Sequence, residues 1–343
     1  MKSRPTENPP IRFRDVTVTY DEGDGPPPAT ITLLEDHSRS ILSHNDSPDL
    51  DFRWSANPYR GCQHACNYCY ARPSHEYLDL GAGTDFDTKI VIKPKAAELL
   101  RETFDKPSWT GELIMFSGVT DCYQPVEKDL ELTRQCLEVC LEYRNPVSII
   151  TKSALVERDV ELIAELAREA GAHLSVSLAW VDPELQRTIE PWAASPQRRL
   201  KVIETFAKAG VPVGVMIAPV IPGLNDNQVI KILEAARAAG ATYAGWALLR
   251  LPGAVKEVFE DRLRVSLPLV ADKVMHRVRE TRGGEKLYDS RFHIRGGGVG
   301  VYAETIAALF DTTVKRLGFN EDDEADPPSR FRRPAKGGQL SLF

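Results

Sequence analysis

Short apolar runs alternate with helical stretches along most of the chain, and this alternation limits the available folds more than any other feature. The runs cover 113–117, 147–151, 174–178, 211–218 and 243–249. Residues 130–143, 156–170, 196–209 and 228–239 carry the 3.6-residue apolar period of amphipathic helices. Three of these helices run into Ala-Gly, at Gly171, Gly210 and Gly240, where a left-handed C-cap is expected. Strands that are apolar almost throughout are covered on both faces, as in a parallel sheet wrapped by helices. The pattern predicts an α/β fold, either a complete or partial barrel or a doubly wound sheet. In each of these, chemistry belongs at the carboxyl ends of the strands.

The 343 residues suit one catalytic-size domain with extensions. Residues 1–50 are rich in Pro, Asp, Ser and Gly and read as a mostly irregular N-terminal extension, with one short apolar stretch near 31–34. The strand–helix pattern occupies 51–265, a helical and loop extension comes next over 266–318, and 319–343 reads as a disordered tail. No apolar leader or eighteen-residue apolar run is present, so the expected location is cytoplasmic, with no membrane partner. There, six cysteines read as metal ligands or reactive thiols rather than disulfides. A net charge of -6 argues against indiscriminate DNA binding but leaves room for a local basic groove.

Three of the six cysteines crowd into NPYRGCQHACNYCYAR, as Cys62, Cys66 and Cys69. A structural zinc site wants four ligands, and no second CxxC or HxxxH is found downstream; His64 lies inside the first gap, where a tight loop turns it toward the same ion with difficulty. Three thiolates can instead hold three irons of a 4Fe–4S cluster and leave the fourth open. Cys136 and Cys140, spaced i, i+4 on a helix, read as small core residues.

The CxxxCxxC spacing, with the aromatic Tyr68 before the last cysteine, resembles the signature of the radical S-adenosylmethionine (SAM) superfamily. Within it, CNYCYAR, TDCYQP and the strand ending in TKS look like the spore photoproduct lyase group, in which cluster-bound SAM is cleaved to repair a thymine lesion. This likeness spans 57–250 and identifies a neighbourhood better than a substrate. It implies a partial (β/α)6 barrel, a 4Fe–4S cluster on Cys62, Cys66 and Cys69, SAM on the open iron, and a one-electron donor as partner. It also implies SAM contacts from Tyr68, Ser117, Gly118, Thr120, Asp121, Lys152, Ser153, Ser177 and Arg250, with Asp121 facing the methionyl amine and Lys152 the carboxylate. Arg250 is equally placed to contact substrate. The competing reading is that Ser, Thr and Asp at strand ends cap the next helices. Where the lyase group has a hydrogen-donating cysteine, this chain has Gly118; Cys122 is the nearest substitute and Tyr123 a candidate relay, unless Cys122 is a buried bystander.

Two further segments bear on the substrate. Residues 281–302 mix Arg291, His293 and Arg295 with aromatics and glycines, a composition suited to phosphates and stacked bases, or to a plain surface loop. QLSLF, formed by Gln339, Leu340, Ser341, Leu342 and Phe343, resembles the bacterial sliding-clamp-binding peptide, unless those apolar residues fold back on their own domain. Together these favour action on DNA or a DNA lesion. The rival readings are radical modification of RNA or protein, and a noncatalytic clamp-binding module with structural zinc.

Overall fold

The computed structural model describes residues 8, 9, 30–321 and 329–334. Its strands, in chain order, are β1 (Thr32–Glu35), β2 (Leu42–His44), β3 (Trp54–Ala56), β4 (Tyr59–Arg60), β5 (Lys89–Ile92), β6 (Ile114–Phe116), β7 (Val147–Thr151), β8 (Ala172–Ser177), β9 (Val213–Val220) and β10 (Tyr243–Leu248). Seven form the main sheet in the order β10-β9-β8-β7-β6-β3-β2. From β3 to β10 the neighbours pair parallel, and only β2 joins antiparallel. Six parallel strands in chain order, covered by helices, make the partial barrel expected from the sequence. A smaller sheet, β1-β5-β4, stands beside it.

Each of the five apolar runs became a strand, displaced by at most a few residues. β7 shows why: Val147, Ile149 and Thr151 are buried, while Ser148 and Ile150 are half-buried. The four helical stretches became Leu132–Glu142, Val160–Glu169, Pro196–Lys208 and Val229–Ala238, the second preceded by a 3-10 turn over Ala154–Asp159. Gly171, Gly210 and Gly240 have φ of +94°, +76° and +102°, the left-handed geometry expected of their caps. Between strand and helix layers, Phe104, Phe116, Leu137, Ile163, Leu174, Phe206 and Ile232 are fully buried. Each contributes about 1.5–3 kcal/mol through its apolar burial. Gly214 is also a packing requirement, since a Cβ there would lie 2.2 Å from the Tyr243 ring on β10.

Some elements lay outside the sequence expectation. β1 and β2 fall within the stretch read as mostly irregular; they are only four and three residues long, and β1 is exposed along its length. Their pairing with β5 and β3 is nonlocal, which short segments do not announce. Helices Val255–Ser266 and Pro268–Glu280 come after β10, and Pro268–Glu280 and Val301–Leu317 lie in the helical and loop extension expected over 266–318.

The segment 329–334 lies against the amino end of the main sheet. Arg333 donates to the carbonyls of Phe104 at 2.9 Å, Lys106 at 2.6 Å and Trp109 at 2.8 Å, and Arg330 to that of Arg168 at 2.5 Å. Phe331 stacks on Tyr143 and meets Phe104 edge-on. These acceptors sit at or just beyond the ends of the helices that lead into β6 and β8, where carbonyls lack helical partners.

Candidate active site

The three clustered cysteines leave the carboxyl end of β3, the first parallel strand. Backbone turns fold their loop: the Ala65 N–H donates to Cys62 O at 3.2 Å and the Cys69 N–H to Cys66 O at 3.3 Å. Gly61, with φ +77°, passes so close to His75 and Phe86 that a Cβ would lie 2.9 Å from each. Two arginines then hold the turn. Arg72, fully buried, donates through Nε and Nη2 to Cys66 O at 3.2 and 2.8 Å. Arg262, from the helix Val255–Ser266, donates to Ala65 O at 3.2 Å. Asp87 receives both guanidiniums, Arg72 at 2.8 Å and Arg262 at 2.6 Å. Cys62 and Cys66 are 7% exposed and Cys69 somewhat more, and none is in a disulfide. Burial pushes the Cys66 thiol well above its ordinary pKa and Cys69 up to about 11.

The ends of β6, β7 and β8 converge on this loop. Asn57 accepts from the N–H groups of Gly118 at 2.8 Å and Val119 at 3.1 Å, joining the β3 and β6 ends. Thr120 donates to Gly61 O at 2.5 Å. Asp121 accepts from Thr151 Oγ1 and the Lys152 N–H, both at 2.7 Å, and from the Tyr123 N–H at 2.9 Å, while His64 Nδ1 stands 3.3 Å from its second oxygen. Burial alone would raise the Asp121 pKa, but His64 and these donors hold it well below the usual carboxylate range. Tyr68 donates to Glu190, which also pairs with fully buried Arg199. The Lys152 ammonium lies 5.9 Å from the Tyr68 ring. Among the described residues it has no hydrogen-bond or ion-pair partner.

Residues 56–236 match the radical SAM superfamily, more than half of the chain. The chain belongs to the radical SAM superfamily. An uncharacterized protein of Mycobacterium tuberculosis is 42% identical over 235 residues, covering 67% of this chain and 68% of its own. An uncharacterized Methanocaldococcus jannaschii protein is 32% identical over 178 residues, 52% of this chain and 64% of that protein. A radical SAM Nalpha-GlyT isomerase of Pseudomonas phage M6 is 24% identical over 178 residues, 51% of this chain and 35% of that one. Spore photoproduct lyase complexed with dinucleoside spore photoproduct shares the fold with a TM-score of 0.61 at 14% identity, covering 84% of this chain and 81% of that one.

As a radical SAM enzyme the chain uses a 4Fe–4S cluster and SAM, and its residues fit them. Cys62, Cys66 and Cys69 are free, share one pinned loop and open at the strand ends. His64 lies 3.3 Å from Asp121 and also interacts with Cys62. The chemistry supplied at this place is one-electron reductive cleavage of SAM. What the protein's own side chains do is orient and shield. Tyr68 walls the loop, Lys152 offers an unpaired ammonium of raised pKa, and the Arg72 and Arg262 donors fix the loop backbone. Iron binding takes the thiols as thiolates, so cluster uptake releases protons.

The sequence-predicted residues divide. Thr120, Asp121 and Gly118 sit at the site but form its scaffold: the Asp121 oxygens are already occupied by protein donors. Ser117, at φ +80°, accepts from the Cys122 N–H at 3.0 Å. Ser153 caps the turn at Leu155, and Ser177 bonds Ala218 O at 3.4 Å, so for these the capping and framing reading describes the hydroxyls. Cys122 and Tyr123 are fully buried. Burial holds the Cys122 thiol well above its ordinary pKa, and Tyr123 donates to Asp159 at 3.0 Å. Arg291 is paired with Asp289, and Arg295 and His293 with Asp49, which ties 291–297 to the loop before β3. Arg250 sits at the end of β10 with its guanidinium 5.1 Å from the Tyr70 ring. Gln339, Leu340, Leu342 and Phe343 lie outside the described residues. Sequence reasoning missed Arg72, Asp87, Arg262, Glu190 and Arg199. Only the nearness of Arg72 to Cys69, three residues on, hinted at the first, and the others come from distant elements.

Proposed function

We propose that this radical SAM enzyme acts on DNA, at a damaged or modified base, in the cytoplasm, and that Gln339, Leu340, Leu342 and Phe343 recruit it to a bacterial sliding clamp. The observation that carries the reading is Tyr70. It comes directly after Cys69, is 48% exposed, is anchored by its hydroxyl to Gly118 O at 2.7 Å, and carries the Arg250 guanidinium on its ring. A held, half-exposed aromatic with a cation at the mouth of a radical site suits a flat base attached to phosphate. The fold's likeness to a lyase that binds a dinucleoside lesion supports the same substrate class.

The test uses anaerobically reconstituted, reduced protein. SAM should alter the electron paramagnetic resonance spectrum of the cluster, and ultraviolet-irradiated DNA should raise 5′-deoxyadenosine formation above the level with undamaged DNA, RNA or protein. Cys69→Ala should abolish that product with the circular dichroism spectrum unchanged. Stimulation by RNA or protein instead of DNA would overturn the substrate assignment while leaving the radical chemistry in place.

A further inference from the structure

We propose that Arg250 and Arg282, at the carboxyl end of β10, form an anion site that holds a phosphate group of the substrate beside Tyr70. The phosphate's source rests on the nucleic-acid reading above; the anion site rests on the side chains themselves.

Arg282 is 4% exposed. Its Nη1 donates to Ile294 O at 2.9 Å, and its Nη2 donates to Leu249 O at 2.8 Å and Arg295 O at 3.1 Å. It therefore grips the carbonyl of the residue directly before Arg250. Arg250 has no hydrogen-bond or ion-pair partner among the described residues. Both Nε atoms, one on each arginine, are buried without an acceptor. Asp289, the carboxylate whose charge reaches Arg282, is engaged by Arg291 through contacts of 2.7 to 3.1 Å. Burial holds the Arg282 pKa below its ordinary value; Asp289 and Tyr288 oppose this, and the charge of Arg250 adds to the lowering. Two neighbouring guanidiniums with spare donors and no dedicated carboxylate are compensated by an anion.

Phosphate suits the pair better than carboxylate. Its oxygens are spread tetrahedrally and can take donors from two guanidiniums at once. The adjoining Tyr70 ring gives the attached base a face to stack on. Lys152, at the end of β7, remains for the carboxylate of SAM.

The experiment measures binding of a thymidine dinucleotide to the reconstituted full chain, with either a normal phosphodiester or a neutral methylphosphonate link. Wild-type protein should bind the charged form about tenfold more tightly. Arg250→Gln should erase the difference, Arg250→Lys should restore part of it, and the SAM-induced change in the cluster spectrum should persist in both. Undiminished discrimination in Arg250→Gln, or loss of the SAM response, would overturn the inference, the latter by assigning Arg250 to the cofactor. A parallel measurement separates the two readings: phenylglyoxal modification of Arg250, mapped by mass spectrometry with and without inorganic pyrophosphate. Protection there without dinucleotide binding sustains the anion site and sinks the nucleic-acid substrate. No protection and no binding sinks the site.

Discussion

Arg262 reaches the cysteine loop from 197 positions downstream, and with Arg72 it turns a flexible tripeptide spacing into a fixed cradle. Their shared Asp87 leaves one net positive charge next to the cluster loop. Reduction adds an electron there, so Arg262→Gln should lower the cluster's midpoint potential. About 30–60 mV is expected, a three- to tenfold shift in a one-electron equilibrium. Redox titration monitored by electron paramagnetic resonance reads it, and an unchanged potential would make the arginine purely structural. Glu190 offers a second residue-scale test. Burial alone would raise its pKa, but Arg199 first and Lys152 next bring it below the ordinary value. A depressed carboxylate stabilises the fold above its unfolded pKa of about 4.3 and loses that contribution as pH falls through the folded value. Glu190→Gln should therefore cost about 3–5 kcal/mol near neutrality, since it leaves Arg199 buried and unpaired. The deficit should shrink in acid, as seen in urea melts from pH 7 down to 3. Little of this was legible beforehand. The cysteines announced themselves by spacing, whereas Arg262, Asp87 and Glu190 matter through partners that only the folded chain brings close.

At the scale of elements the sequence was more open. β6 to β10 and their helices obey local rules, apolar runs and glycine caps, so each could be placed without knowing its neighbours. β1 and β2 are four and three residues long and owe their existence to the strands beside them, which is why they were not told apart within 1–50, read as mostly irregular. The strand-end hydroxyls were legible as positions but not as roles: Ser153 and Ser177 proved to be tied to the frame. The same limit applies to 329–334, an arginine-rich stretch with no periodicity that binds helix ends through Arg330, Phe331 and Arg333. Phe331→Ala removes the ring that packs on Phe104 and Tyr143 and should cost about 1–3 kcal/mol of local docking. Trypsin should then cut at Arg330 and Arg332 several times faster, with cleavage elsewhere unchanged; uniform acceleration would point to global loosening instead.

Taken whole, the molecule separates the open ends of its strands from the place where its last described residues lie. Cysteines, Lys152, Tyr70 and Arg250 gather at the carboxyl ends of the strands, while the last described residues clip to the amino ends. Deleting 339–343 should abolish binding to a purified sliding clamp in surface plasmon resonance and leave SAM cleavage within about twofold of wild type. Retained binding would remove the clamp from the account. The clip at Arg330 to Arg333 sets where the chain departs: it leaves Pro334 at the back of the barrel. Under the proposed clamp contact, an enzyme moored from behind would keep its opening unobstructed, so being tied to a carrier and working on a substrate would not have to be successive states.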